Sequence, residues 1–116
     1  MLVAVQGTPG FQDYQTVLRA MGVALSSLKE DDAFFYIYTA GPSNINKMIT
    51  EFVNLSERGM RARGKKIKMY AVPPSWIEEN LQSINYFAFF SLPQERKSML
   101  VDKAASEKVE FGIFQY

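Results

Sequence analysis

The chain has 116 residues, 47% hydrophobic and 22% charged, which fits a single globular domain over 1–116 with an apolar core large enough to need no staple. It contains no Cys and no His, which excludes disulfides, thiol or imidazole catalysis and Cys/His metal sites; no cofactor is predicted. A net charge of +1 gives no bulk electrostatic reason to expect nucleic acid or an anionic membrane as partner.

In chain order, Leu2 to Gln6 is a short apolar run stopped by Gly7-Thr8-Pro9-Gly10, a strand and its turn. Asp13 stands where a helix N-cap belongs, and Tyr14, Val17, Leu18, Met21, Leu25 and Leu28 follow at helical spacing. After the polar Glu30-Asp31-Asp32, Phe34 to Thr39 is aromatic and β-branched, a buried strand. Gly41-Pro42-Ser43 ends it, with Ser43 as expected N-cap of a helix whose stripe is Ile45, Met48, Ile49, Phe52 and Leu55. A basic connection from Arg58 to Lys66 leads into a strand from Ile67 to Val72, stopped by Pro73-Pro74. Ser75 and Glu78 have capping-box spacing at a short helix. Tyr86 to Phe90 is nearly all apolar, as in a central parallel strand covered on both faces. Ser91 and Gln94 form another capping-box pair with Pro93 between them; Met99, Leu100 and Ala104 are expected to cover the sheet, and Val109 to Tyr116 forms the last strand. No repeat or linker interrupts the pattern.

Alternating strands and helices predict an α/β fold, a Rossmann-like three-layer α/β/α sandwich with a five-stranded, mainly parallel sheet. The alternation does not fix strand order, for which 3-2-1-4-5 is the working guess. Such sheets bind ligands outside the carboxyl ends of their strands, where strand order reverses. The loops Gly7 to Gln12, Ala40 to Asn46 and Ser91 to Lys97 belong at that rim, and each leads into a helix N-terminus that favours an anion. Gly7, Gly10 and Gly41 permit close backbone approach, and Thr8, Asp13, Ser43, Asn44, Asn46 and Ser91 offer polar side chains. Lys47, Arg96 and Lys97 offer positive charge, and Trp76 a ring for stacking on a base. Glycines in such turns and serines at helix starts also have purely structural uses. The basic residues Arg58, Arg61, Arg63, Lys65, Lys66 and Lys68 fall at the opposite rim, where they are expected to complement a helix C-terminus and guard an edge strand; the alternative is a phosphate-backbone or acidic-protein contact separate from the crevice.

Gly7-Thr8-Pro9-Gly10-Phe11-Gln12-Asp13-Tyr14 after the first strand, Thr39-Ala40-Gly41-Pro42-Ser43-Asn44-Ile45-Asn46 after the second, and Val72-Pro73-Pro74-Ser75-Trp76 after the third resemble the YspA-like branch of the SLOG superfamily, related to the DprA/Smf and LOG proteins. Members of that branch open with Gly-Ser-Arg-x-Phe-x-Asp and carry a Ser-Gly-Gly-Ala-Arg-Gly-Ala-Asp second loop. The resemblance implies a nucleotide or nucleotide-derived ligand held by the two glycine-led loops. The loops are degenerate: Pro9 stands at the first-loop Arg position, and Ser43 and Asn46 replace the Arg and Asp of the second. Gly7, Asp13 and Gly41 match directly, while the glycine-rich segment of the hydrolase branch has no counterpart in Leu92 to Ser98, so hydrolase activity is not expected.

The expected function is non-catalytic binding of a nucleotide-type small molecule, as sensor or accessory factor. The alternative is a protein–protein interaction module that keeps the fold without the ligand. Six Met, nine Phe and six Tyr supply apolar surface for self-association, so a homo-oligomer is expected. Catalysis would fall to carboxylates such as Asp13 or Glu95, which have no diagnostic spacing. The apolar runs are too short to span a bilayer and the N-terminus has no secretion-signal pattern, so no membrane partner and a cytoplasmic location are expected.

Overall fold

The computed structural model describes residues 1–115. Strands β1 (Leu2–Gly7), β2 (Phe34–Thr39), β3 (Lys66–Ala71), β4 (Tyr86–Ser91) and β5 (Phe111–Gln115) alternate with helices α1 (Tyr14–Ser26), α2 (Ser43–Ala62), α3 (Pro74–Glu79) and α4 (Met99–Ser106). All four pairings are parallel, as the alternation predicted, and the order is β3-β2-β1-β4-β5, the one guessed. The fold is thus an α/β sandwich of the Rossmann-like kind. Strand order reverses between β1 and β4, so the chain leaves these two neighbours toward opposite faces.

Side-chain alternation along the strands builds two cores. Val3, Val5, Phe35, Ile37, Ala88 and Phe90 pack under α1 and α2. Ala4, Phe87 and Phe89 pack under Ile77 of α3 and Leu100, Val101 and Ala104 of α4. α1 starts where Asp13 caps it, the carboxylate accepting from the Gln15 N–H at 3.1 Å and the Thr16 hydroxyl at 2.9 Å. It ends at Ser26, so the buried Leu28 lies past the helix, not on it. α2 runs about two turns beyond its expected stripe; Leu55, at the stripe's margin, is 66% exposed, and Met60 takes the buried position.

Three expected caps differ. Pro42, not Ser43, precedes α2, and it makes no side-chain cap bond. Pro73 plays that part for α3, which leaves Ser75 inside the helix. Ser91 ends β4, and the next helix waits until Met99, capped by Ser98 through the Leu100 N–H at 3.1 Å. Met99 consequently sits at the first helical position and is 86% exposed instead of covering the sheet.

The basic connection contains one buried member. Lys65 donates from its ammonium to the carbonyls of Lys29 at 3.1 Å, Glu30 at 2.9 Å and Asp32, closing the turn before β2. Gly64 precedes it at φ +71, and the Lys65 N–H to Met60 O and Gly64 N–H to Arg61 O bonds end α2 in a Schellman turn. The end of α4 repeats this geometry with Lys108 at φ +60, a conformation that costs a residue with a Cβ. Lys108→Gly should therefore raise unfolding stability by roughly 0.5–1 kcal/mol. Lys65→Ala, which strands three carbonyl acceptors, should lower it by about 1–2 kcal/mol. Urea titration of both variants against the parent chain checks these signs.

Candidate functional site

The crevice at the strand reversal is bounded by the β1–α1 loop and the β4–α4 loop. Gly7 makes the close packing beneath it possible. A Cβ there would lie 2.6 Å from Ile45 Cδ1 and 2.9 Å from the Phe90 carbonyl oxygen, so only glycine leaves both in place. The Gly7 N–H donates to Gly41 O at 3.0 Å and the Thr8 N–H to Phe90 O at 2.9 Å, extending the sheet's bonding into the loops. Gly41 is buried at φ +84 and joined to Pro42 by a cis peptide; its N–H donates to Thr39 Oγ at 3.2 Å.

Glu95 crosses the crevice. Its carboxylate accepts from the Thr8 hydroxyl of one loop and from the Leu92 N–H of its own at 2.9 Å. The bond from Thr8 acts most strongly, followed by the Leu92 N–H and more weakly the Gly10 N–H; together they outweigh partial desolvation and hold the Glu95 carboxyl below the usual glutamate range. An added Cβ on Gly10 would sit 2.9 Å from Leu92 Cδ1 and 3.3 Å from Glu95 Oε2, so this loop too is in close contact with its neighbour. A negatively charged oxygen therefore occupies the spot where the fold offers donors, and the chain itself supplies it.

Two buried oxygens nearby have no hydrogen-bond partner, Gln6 Oε1 and Ser91 Oγ. Gln6 pairs in register with Phe89, and Ser91 lies two residues beyond Phe89 on β4. Alternation therefore puts both side chains on the α3/α4 face, on the two strands that flank the crevice. Buried polar atoms are normally hydrogen-bonded, so two such oxygens on the same face of neighbouring strands are unusual.

The expected site residues divide into three groups. Gly7, Thr8, Gly10 and Ser91 line or floor the crevice. Asp13, Gly41, Asn44 and Asn46 shape the loops: Asp13 caps α1, the Asn44 amide clamps the first loop through Thr8 O at 3.3 Å and Phe11 O at 2.6 Å, and Asn46 Oδ1 accepts from the Thr39 hydroxyl at 2.7 Å. Ser43, Lys47, Arg96 and Lys97 are exposed. Trp76 stands apart from both loops, stacked on Tyr38 with ring centroids 4.3 Å apart.

Glu95 as the crevice-spanning carboxylate was not legible beforehand. The available signal was its spacing to Leu92, a capping-box reach shifted by one residue from the Ser91–Gln94 pair. Because Glu95 also bonds across to Thr8, the chain turns at Leu92–Glu95 without entering a helix.

Other concavities lie elsewhere. One of about 330 Å³ involves Met1, Val23, Asp32, Tyr86 and Glu110. Another of about 370 Å³ is lined by Pro74, Glu78, Ser98, Met99 and Lys103, where Lys103 pairs with Glu78 at 2.9 Å. Among the described residues no group of three or more carboxylates is placed to hold a metal ion, and no helix is long and apolar enough to cross a membrane. Comparison with protein-family models, curated proteins and solved structures returns no match for this chain.

A depressed folded-state pKa means that the Glu95 contacts stabilise the fold fully above the unfolded glutamate value of about 4.3 and are lost as pH falls through the lower folded value. Between pH 7 and pH 3, urea stability of the parent should therefore fall more than that of Glu95→Gln. Parallel pH profiles would remove Glu95 from this role.

Proposed function

We propose that this protein is a non-catalytic binder of a nucleotide or nucleotide-derived anion at the β1–β4 crevice, and that the Glu95 carboxylate holds the place of the ligand's anionic group. The observation that carries this reading is the pair of donors on Glu95, the Thr8 hydroxyl and the Leu92 N–H, gathered from two loops at the strand reversal. Donors of this kind recognise oxyanions generally, and a phosphate brings more charge and more acceptor oxygens than a carboxylate. Exposed Arg96 and Lys97 adjoin Glu95 in the same loop. The resemblance of the Gly7 and Gly41 loops to the SLOG superfamily supports the same ligand class. A binding role fits the residue inventory better than catalysis, since Asp13 is committed to capping α1 and Glu95 to its own loop contacts.

A tethered carboxylate competes at an effective concentration of order millimolar, so the parent chain should bind weakly. Glu95→Ala should bind at least one of AMP, ADP or a cyclic mononucleotide about tenfold or more tightly than the parent by titration calorimetry. Thr8→Val in that background should reverse the gain. Absence of heat with every nucleotide, in both the parent and a folded Glu95→Ala, overturns the reading.

The internal bonding of the loop amides favours a second reading, a protein–protein interaction module, possible because Val23 at 62% and Leu55 at 66% exposure leave apolar side chains on α1 and α2 uncovered. A concentration-independent monomer in light scattering, with nucleotide bound, would leave this reading without support.

A further inference from the structure

The sheet is covered unevenly. On the α3/α4 face, the core under the helices is built from β1, β4 and β5, and the outward residues of β2 and β3 lie beside it. Those residues are Phe34, Tyr36 and Tyr38 on β2 and Lys66, Lys68 and Tyr70 on β3; the register sets Lys66 beside Phe34, Lys68 beside Tyr36 and Tyr70 beside Tyr38. The three β3 side chains are exposed and the three β2 rings half-buried. The rings stack on one another. Trp76, Tyr38 and Tyr70 form a column with centroids 4.3 and 5.2 Å apart and planes within 20°. Phe34 and Tyr36 form a second stack at 4.4 Å, and Tyr36 meets Tyr70 edge-on at 5.6 Å. Neither β2 nor β3 carries an acidic residue, and neither lysine takes part in an ion pair among the described residues.

We propose that this β2–β3 face binds single-stranded nucleic acid, with bases stacking onto the open end of the Tyr70 column and Lys66 and Lys68 contacting the phosphates. Charge complementarity selects an anionic partner, because the only ionic groups on these two strands are cations. The flat ring column selects a partner with planar faces, and bases stack on aromatic side chains without regard to sequence. The chain's small net charge is no obstacle, since what matters locally is the pair of unpaired lysines on one strand. The surface is distinct from the crevice between the Gly7 and Leu92 loops, and it does not depend on that site being functional.

Fluorescence anisotropy with labelled twelve-residue oligouridylate and oligothymidylate tests the proposal and distinguishes RNA from DNA; binding of either supports it. Tyr70→Ala should weaken binding roughly tenfold, since one stacked base is lost. Lys66→Ala with Lys68→Ala should weaken it further and reduce the slope of log affinity against log salt by about 1.4, two contacts at about 0.7 each. Both lysines are exposed, so circular dichroism should show this double variant folded, which keeps the test valid if Tyr70→Ala unfolds. No binding by the parent, binding unaltered by the double lysine variant, or equal binding of a polyglutamate peptide of the same length overturns the proposal.

Discussion

The reversal of strand order between β1 and β4 governs the rest of the molecule. Two adjacent parallel strands end side by side, but their chains depart to opposite faces, so their loops open a gap lined with backbone donors. The gap can form only if the layers beneath it close tightly, and Gly7 allows this by letting Ile45 and the Phe90 carbonyl occupy space a Cβ would need. The Gly7 and Thr8 amides then continue the sheet's bonding, which leaves the Thr8 hydroxyl and the Leu92 amide as the donors facing the gap. A carboxylate from the second loop meets them. The crevice is therefore a clasp closed by the chain's own carboxylate.

The same uneven layering explains the other half of the sheet. Two helices on each side cannot cover ten strand faces evenly, and the β2–β3 side opposite α2 is left to side chains. Phe34, Tyr36, Tyr38, Tyr70 and Trp76 stack into a partial layer of their own, with two lysines on the edge strand. Those lysines also guard the β3 edge against pairing with another strand, the role expected of the basic run, so protection of the edge and recognition of an anion need not be separate uses. Lys65, next in the chain, has turned inward to bind three carbonyls and contributes to neither.

Much of this layout was legible in the residues. Apolar runs between polar or Gly/Pro turns located all five strands, and their alternation with amphipathic stretches gave the parallel sheet; the order matched the expected one, although alternation does not encode it. The Asp13 cap was readable because an Asp before a helical stripe has one dominant use. The misplaced caps have two causes. Ser43 and Ser75 each follow a proline, whose fixed φ set the helix boundary, while at Ser91 a long-range contact of Glu95 delayed the helix. Trp76 was placed at the ligand loops on chemistry alone, whereas its neighbours are the tyrosines of β2 and β3.

By itself, the sequence determined the class of fold, the absence of Cys and His chemistry, and the rim at which glycine-led loops would gather, because these follow from composition and from periodicities of a few residues. Only the tertiary structure decided which polar atoms meet. Thr8 and Glu95 are 87 positions apart, and the Asn44 clamp on Phe11 spans 33. Contacts over such separations depend on how strands are ordered and helices layered, and no local pattern encodes them. The same holds for the aromatic face: alternation made its rings half-buried, but the order of the strands and the reach of α3 and α4 left them open to solvent.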